Sequence, residues 1–155
     1  MGESTVHIAL GNDQAGYALK GTLLSWLASN GHTVDDRGTD GREAVDYPPI
    51  CADVGRLVAT AAADRGVILG GSGMGETIAA NKVPGVRAGL CHCLYTARIS
   101  RTNNDANVLV LGAKVVAPAL AEEIAAIWFT TDFAGGRHIP RLEQLAALDR
   151  REPLT

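Results

Sequence analysis

The sequence predicts an α/β fold: an open, doubly wound sandwich with a five-stranded parallel sheet and a C-terminal helix, in a single domain spanning 1–155. Three observations predict it. Short apolar runs alternate with segments of helical period along the whole chain, the pattern that produces a parallel sheet wrapped by helices. Most of the runs are largely apolar rather than alternating, as strands buried on both faces are. The chain has 155 residues, 46% of them hydrophobic, which fits one ordinary domain with a core able to fold unaided.

In chain order, strands are expected at Val6–Leu10, Thr33–Asp36, Val67–Leu69, Arg87–Leu90 and Val108–Leu111. Between the first two, Leu19, Leu23 and Leu27 recur every four residues as one apolar helical stripe. Gly31 follows Asn30 where a left-handed C-terminal cap belongs. Pro48 and Pro49 suit the first turn of a helix running to about Ala63. A third helix follows the glycine loop "GGSGMG", with Glu76 in its first turn. Pro118 starts another through Leu120, Ile124, Ile127 and Trp128, and the final helix begins near Pro140 after a turn at Gly135–Gly136. No linker, internal repeat or low-complexity tract interrupts this order.

Composition narrows the function. A net charge of −3 and a pI near 5.7 offer no basic stripe for nucleic acid. No apolar run approaches the roughly 20 residues that cross a bilayer, and the N-terminus lacks the pattern of a secretory signal. Gly2 fits a myristoylation signal, but Val6 stands where that signal wants Ser or Thr. Cys51, Cys91 and Cys93 are an odd count that suits reduced thiols, so a soluble cytoplasmic protein is expected. "CHC" at 91 to 93 has no second ligand pair at finger-like spacing, and no metal is expected.

Open α/β sheets bind ligands at the C-terminal ends of their strands. The site is therefore sought in four loops, "GNDQAG", "LGGSGMGE", "TNNDAN" and "LGAKVV". In "GGSGMG" successive backbone N–H groups and the following helix N-terminus can converge on an anion. Gly75-Glu76-Thr77 replaces the Gly-Lys-Ser/Thr of a Walker loop, and a dinucleotide fingerprint belongs after the first strand rather than the third. A carboxylate at the mouth would repel a resident phosphate. The loop then suits an oxyanion that forms only during reaction, with Glu76 as the base that creates it. The alternative is that Glu76 complements the helix dipole.

Other polar residues carry similar pairs of readings. Arg137 and Arg141 lie four apart around a helix start, where both could reach one phosphate or both could be solvated charges. Asp13 could hold hydroxyls or cap the first helix. Asn103, Asn104 and Asn107 could bind a ligand or form turns.

These segments, with "DYPP" and "GGRHIPR", resemble the ribose-5-phosphate isomerase B family, which includes galactose-6-phosphate isomerase subunits. The resemblance runs from about Val6 to Leu148. It implies a Rossmann-like α/β fold, a homodimer with active sites at the interface, and metal-free aldose–ketose isomerisation of a sugar phosphate through an enediol. One branch of that family has a cysteine base just before the glycine loop; another has a glutamate just after it. With Gly70 at the first position and Glu76 at the second, this chain resembles the glutamate branch. By the same likeness Asp13 contacts hydroxyls, Gly71, Ser72, Gly73, Met74 and Gly75 line the oxyanion side, and Asn104 binds the sugar. Arg137 and Arg141 bind phosphate, and Tyr47 flanks the pocket.

Three positions depart from the family pattern. Gln14 and Asn103 stand where the family has histidine, and Lys114 stands where it has arginine. The histidine at 103 is the family's acid/base for opening the furanose ring, which a neutral asparagine cannot perform near neutral pH. A tetrose 4-phosphate cannot close a furanose, so the pair erythrose 4-phosphate and erythrulose 4-phosphate becomes an alternative substrate. Otherwise Ser72, Tyr47 or a partner histidine must open the ring. Hexose 6-phosphates remain a further alternative. Competing classes are a receiver domain, which would need an Asp after the third strand, a stress-type nucleotide binder, which gives Glu76 no role, and an impaired subunit of a hetero-oligomer.

Overall fold

A computed structural model of the chain describes residues 5–154. Five strands are all parallel: β1 (His7–Asn12), β2 (Thr33–Asp36), β3 (Arg65–Gly70), β4 (Ala88–Leu90) and β5 (Val108–Gly112), in the order β2-β1-β3-β5-β4. Six helices connect and flank them: α1 (Tyr17–Ser29), α2 (Tyr47–Ala59), α3 (Met74–Ala80), α4 (Leu94–Thr102), α5 (Pro118–Thr130) and α6 (Ile139–Asp149), with one 3-10 turn at Gly136–His138.

Strand period sorts the core into two layers. Ile8, Leu10, Val67, Leu69, Leu109 and Leu111 face one side, against Leu19, Leu23 and Leu27 of α1, Ala97 of α4 and Ile124 and Trp128 of α5. Ala9, Ile68, Val108 and Val110 face the other, against Cys51, Val54 and Val58 of α2 and Ala80 of α3. Because both faces are covered, the central strands are apolar or small at every position except His7, Asn12 and Arg65 at their ends, which is why the runs read as continuous.

The expected strands are all present, though β1 and β3 run two or more residues beyond the apolar runs because Arg65, Asn12 and three glycines also join the ladder. The α2 helix stops at Ala59 rather than Ala63. Thr60 turns its hydroxyl back onto the Arg56 carbonyl (2.7 Å) and Ala61 takes a left-handed φ of 59°, ending the helix early. Gly31 caps α1 at φ 80°, as its place after Asn30 implies.

One expectation is corrected by the topology. "TNNDAN" does not open at the C-terminal ends of the strands. No helix is expected from the sequence between β4 and β5, yet α4 fills that interval and carries the chain back to the opposite end. Asn103 to Asn107 therefore lead into the start of β5. There Arg87, just before β4, donates to the carbonyls of Asn104 (3.0 Å) and Asp105 (2.9 Å), and Gly66 at the start of β3 donates to the Asn107 carbonyl (2.9 Å).

Candidate active site

The chain leaves β1 toward β2 on one side and returns to β3 on the other, so the crevice lies beyond the C-terminal ends of β1 and β3. Asp13 and Gln14 follow β1; Gly71 to Glu76 follow β3; Lys114 follows β5. The crevice is held together by backbone. Asp13 donates its N–H to the Leu69 carbonyl (3.3 Å), and Lys114 donates to the Gly71 carbonyl (3.0 Å). The Lys114 stem lies over Gly71, within about 3.6 Å of where a Cβ would stand.

Glu76 sits in the first turn of α3, only 5% exposed. Two glycines make that possible. Gly73 has φ 77° and lies against Leu90, a turn and a closeness that a side chain would not allow. Gly70 has no Cβ, and the space a Cβ would take is filled by the Glu76 carboxyl group. A side chain at 70 and the carboxylate of Glu76 are mutually exclusive. Burial pushes the Glu76 carboxyl above its ordinary value, and the neighbouring Asp13 adds to the rise, while a backbone N–H opposes it. Asp13, 7% exposed, turns one oxygen onto the Gly16 N–H (2.9 Å), which holds it at the start of the α1 loop. From there it faces Glu76; the α1 N-cap is Gly16, and no side chain caps it.

Around these carboxylates, the Tyr47 ring covers Gly75, 2.6 Å from where a Cβ would be. Ser72 is exposed and accepts the Met74 N–H on its hydroxyl (3.1 Å); the Met74 side chain is 57% exposed. Gln14 accepts the Val45 N–H (3.0 Å), so it clamps the segment leading to Tyr47. Two residues outside the sequence-predicted set also lie here. Cys51 is buried on α2 beside Glu76 and Asp13, and burial first, then those two charges, push its thiol up to about 12. It lies four residues after Tyr47 on one helix, a spacing that puts both on the same face. Asn12 is fully buried and donates to the carbonyls of Asp13 (3.0 Å) and Thr39 (3.1 Å).

The other candidates gather at the opposite end. Asn103 is half-buried, its side-chain oxygen accepting the Thr102 hydroxyl (3.0 Å), and Asn104 is exposed. Ala134 donates to the Thr102 carbonyl (3.0 Å), so the arm carrying Arg137 and Arg141 departs from this end. Both arginines are exposed, and Arg141 reaches the Arg137 carbonyl at 3.4 Å. The two ends are separated by the length of β5, five residues or about 16 Å. From C1 to phosphorus a pentose phosphate spans only about 8 Å, from bond lengths near 1.5 Å.

Beside this end a cavity of about 460 Å³ opens between the β4 edge and α6, lined by Ala88, Gly89, Ser100, Asn104, Leu145 and Leu148 among others. Among the described residues no group of three or more His, Cys, Asp or Glu side chains gathers to hold a metal. In "CHC", Cys91 is buried and Cys93 is exposed at the α4 N-terminus. No described helix is long and apolar enough to cross a membrane.

The family model for ribose/galactose isomerases matches residues 8–145. Ribose-5-phosphate isomerase B of Escherichia coli is 40% identical over 144 residues, covering 93% of this chain and 97% of that one. A D-erythrulose-4-phosphate isomerase of Pectobacterium atrosepticum is 37% identical over 147 residues, covering 94% and 96%. The solved structure of Clostridium thermocellum ribose-5-phosphate isomerase B superposes with a TM-score of 0.92 at 43% identity, covering 94% of this chain and 98% of that one. The chain belongs to the ribose/galactose isomerase family of sugar-phosphate isomerases.

Proposed function

From this membership we propose that the protein interconverts an aldose phosphate and its ketose in the manner of ribose-5-phosphate isomerase B, with Glu76 as the base. The observation that carries the reading is one buried carboxylate, raised in pKa, seated in the space left by Gly70 at the mouth of a glycine loop. Glu76 removes the proton from the carbon beside the carbonyl. The electron pair moves onto the carbonyl oxygen, and the Gly71–Gly75 N–H groups stabilise the enediolate. The same carboxyl then returns the proton to the neighbouring carbon. Asp13, buried beside Glu76, accepts from substrate hydroxyls. Ser72 is exposed at the loop, where it shuttles the hydroxyl proton between O1 and O2. Gln14, Tyr47, Met74 and Lys114 line the binding side. Neither metal nor cofactor enters these steps.

Asn103, Asn104, Arg137 and Arg141 bind sugar and phosphate, and they do so from a second copy of the chain. The roughly 16 Å between the two ends exceeds the reach of one substrate, so a homodimer would complete each site from both ends. Ile139, Leu145 and Leu148, each 43% or more exposed on α6, supply apolar surface for such an interface. Three free cysteines suit a cytoplasmic enzyme.

A second reading concerns chain length. Asn103 holds no titratable proton and its oxygen is occupied by Thr102, which favours an open-chain tetrose 4-phosphate over a furanose. The likeness to a D-erythrulose-4-phosphate isomerase is in keeping with it. Initial rates in EDTA on ribose 5-phosphate, erythrose 4-phosphate and a hexose 6-phosphate, with Glu76→Gln as control, test both readings. Retained turnover in the control would remove Glu76 from the mechanism. Ribose 5-phosphate turning over far faster than the tetrose would remove the second reading.

A further inference from the structure

Arg101 is a buried arginine that no step above uses. It stands in the last turn of α4 with its side chain 6% exposed. Its Nη1 donates to Asp105 Oδ1 at 2.9 Å and to the Ala106 carbonyl at 2.6 Å. Its Nε donates to the Thr131 carbonyl at 3.2 Å, and the guanidinium lies 5.4 Å from the Trp128 ring centroid. A planar fork stacked on an aromatic ring can serve several acceptors at once without losing its orientation.

The acceptors belong to two segments without regular structure of their own. Asp105 and Ala106 lie in the loop of Asn103 and Asn104. Thr131 is the first residue beyond α5, where the chain turns toward Gly135, Arg137 and Arg141. The segment after α5 is also tied to the end of α4 by the Ala134 N–H, which donates to the Thr102 carbonyl. Asp105 holds the bracket from below: it takes φ 44°, and its second oxygen reaches Arg87 Nη2 at 3.4 Å.

We propose that Arg101 is a positioning residue for phosphate capture: it fixes the spacing between the Asn103–Asn104 loop and the Arg137–Arg141 arm, so that sugar and phosphate donors meet the substrate as one unit. The proposal rests on the assignment of those four residues to substrate made above. Arg101 touches no substrate itself, and it lies at the end of the sheet away from Glu76. Loosening it weakens capture and leaves the proton transfer intact.

The test uses Arg101→Lys, which keeps the charge and the stem but not the fork, and Asp105→Asn, a milder change that loosens the same bracket. Native mass and thermal melting confirm that each is folded and assembled as the wild type is. Expected are a KM for the sugar phosphate and an inhibition constant for inorganic phosphate both raised about tenfold in Arg101→Lys and about threefold in Asp105→Asn, with kcat within about twofold. Should Arg101→Lys fail to fold, Asp105→Asn carries the test alone. Unchanged constants in a folded variant, or a loss confined to kcat, would overturn the proposal. Arg137→Ala/Arg141→Ala keeps the two failures apart. If that pair leaves phosphate inhibition unchanged, the assignment of the arm is wrong; if it abolishes inhibition while Arg101→Lys does nothing, only the bracket is wrong.

Discussion

The two ends of the sheet are built by different means. At the C-terminal end the two carboxylates are buried and fixed by backbone: Asp13 is 7% and Glu76 5% exposed, and glycines at 70 and 73 let the main chain close around them. At the N-terminal end Asn104, Arg137 and Arg141 are exposed, and α6 buries no residue. A base must be desolvated and held in place before the substrate arrives, so its site is finished by folding alone. The arginines proposed to bind phosphate, by contrast, stay in water until a ligand and a second copy cover them. On the proposed assignment, the Glu76 end is complete within one chain, whereas the arginine end is completed by a second copy.

The largest effect expected is at the catalytic end. Glu76→Gln should lower kcat by about 10²–10⁴-fold, the usual worth of a positioned general base. It should also stabilise the fold, which separates it from a merely damaging change. Burial holds the Glu76 pKa above its ordinary 4.5 in the folded chain. A group raised in this way contributes stability that is fully present below its unfolded pKa and lost as pH rises through the folded one. At neutral pH the raised carboxyl therefore costs stability relative to low pH. The Gln variant should melt at a higher temperature than wild type at pH 7, and the gap should close as pH falls below about 4.5. In the wild type, the acidic limb of kcat/KM should have its midpoint above that value. An equal or lower melting temperature for the variant at pH 7 would contradict the buried-carboxylate account.

The next prediction tests the division between the ends. Glu76→Gln and Arg137→Ala/Arg141→Ala should each be nearly inactive alone. If each site takes its base from one copy and its arginines from another, unfolding and refolding the two together restores activity. Random assortment makes half of the dimers mixed, each with one wild-type site, or about a quarter of wild-type activity. No recovery on mixing would place both ends of the site in one chain, against the 16 Å separation read from β5.

A third change sharpens the account of Gly70. Gly70→Ala places a methyl group where the Glu76 carboxyl lies, and the carboxyl must move. Misplacing a catalytic group by about 1 Å is worth about 10² in rate, and overpacking a filled site costs about 1–3 kcal/mol. The expected result is a kcat about 100-fold lower with a lower melting temperature, the opposite stability sign from Glu76→Gln. Activity within twofold of wild type would show that Glu76 does not need this seat.

The sequence made the carboxylate end legible and the other end less so, for a physical reason. Around β1 and β3 the functional loops follow apolar strands directly, so strand-then-loop order translates into position. Gly73, Glu76 and Asp13 are singled out by local pattern, although the roles of Glu76 and Asp13 stay open there and come only from the family resemblance. The Asn103 loop precedes its strand, and its location depends on α4, whose "LYTARISRT" has too few apolar residues to announce a helix. Without α4 the loop is assigned to the wrong end. Cys51 was missed because a lone cysteine in an amphipathic helix carries no local signal; its neighbours Asp13 and Glu76 come from other segments. Likewise Gln14 looks like a lost histidine in the sequence, and only the fold reveals its bond to Val45.

The smallest effect expected concerns Asn103 and sharpens the recognition end. Its side-chain oxygen already accepts the Thr102 hydroxyl, and the residue is half-buried, so an imidazole there would be partly solvated and titrate near neutrality. Asn103→His introduces the proton carrier that furanose opening requires, yet leaves the Glu76 end untouched. Turnover of ribose 5-phosphate should rise relative to erythrose 4-phosphate by about tenfold, less than the roughly 10²–10⁴ that general acid–base help usually supplies, because the surrounding loop is not arranged for an imidazole. The tetrose rate itself should stay within about twofold, since an open-chain substrate has no ring to open. A ratio that does not move would mean that ring opening is served by another group, with Ser72 and Tyr47 at the carboxylate end as the first to replace. Proton transfer during ring opening would then also belong to the end that folding completes, and the asparagine–arginine end would be left with binding alone.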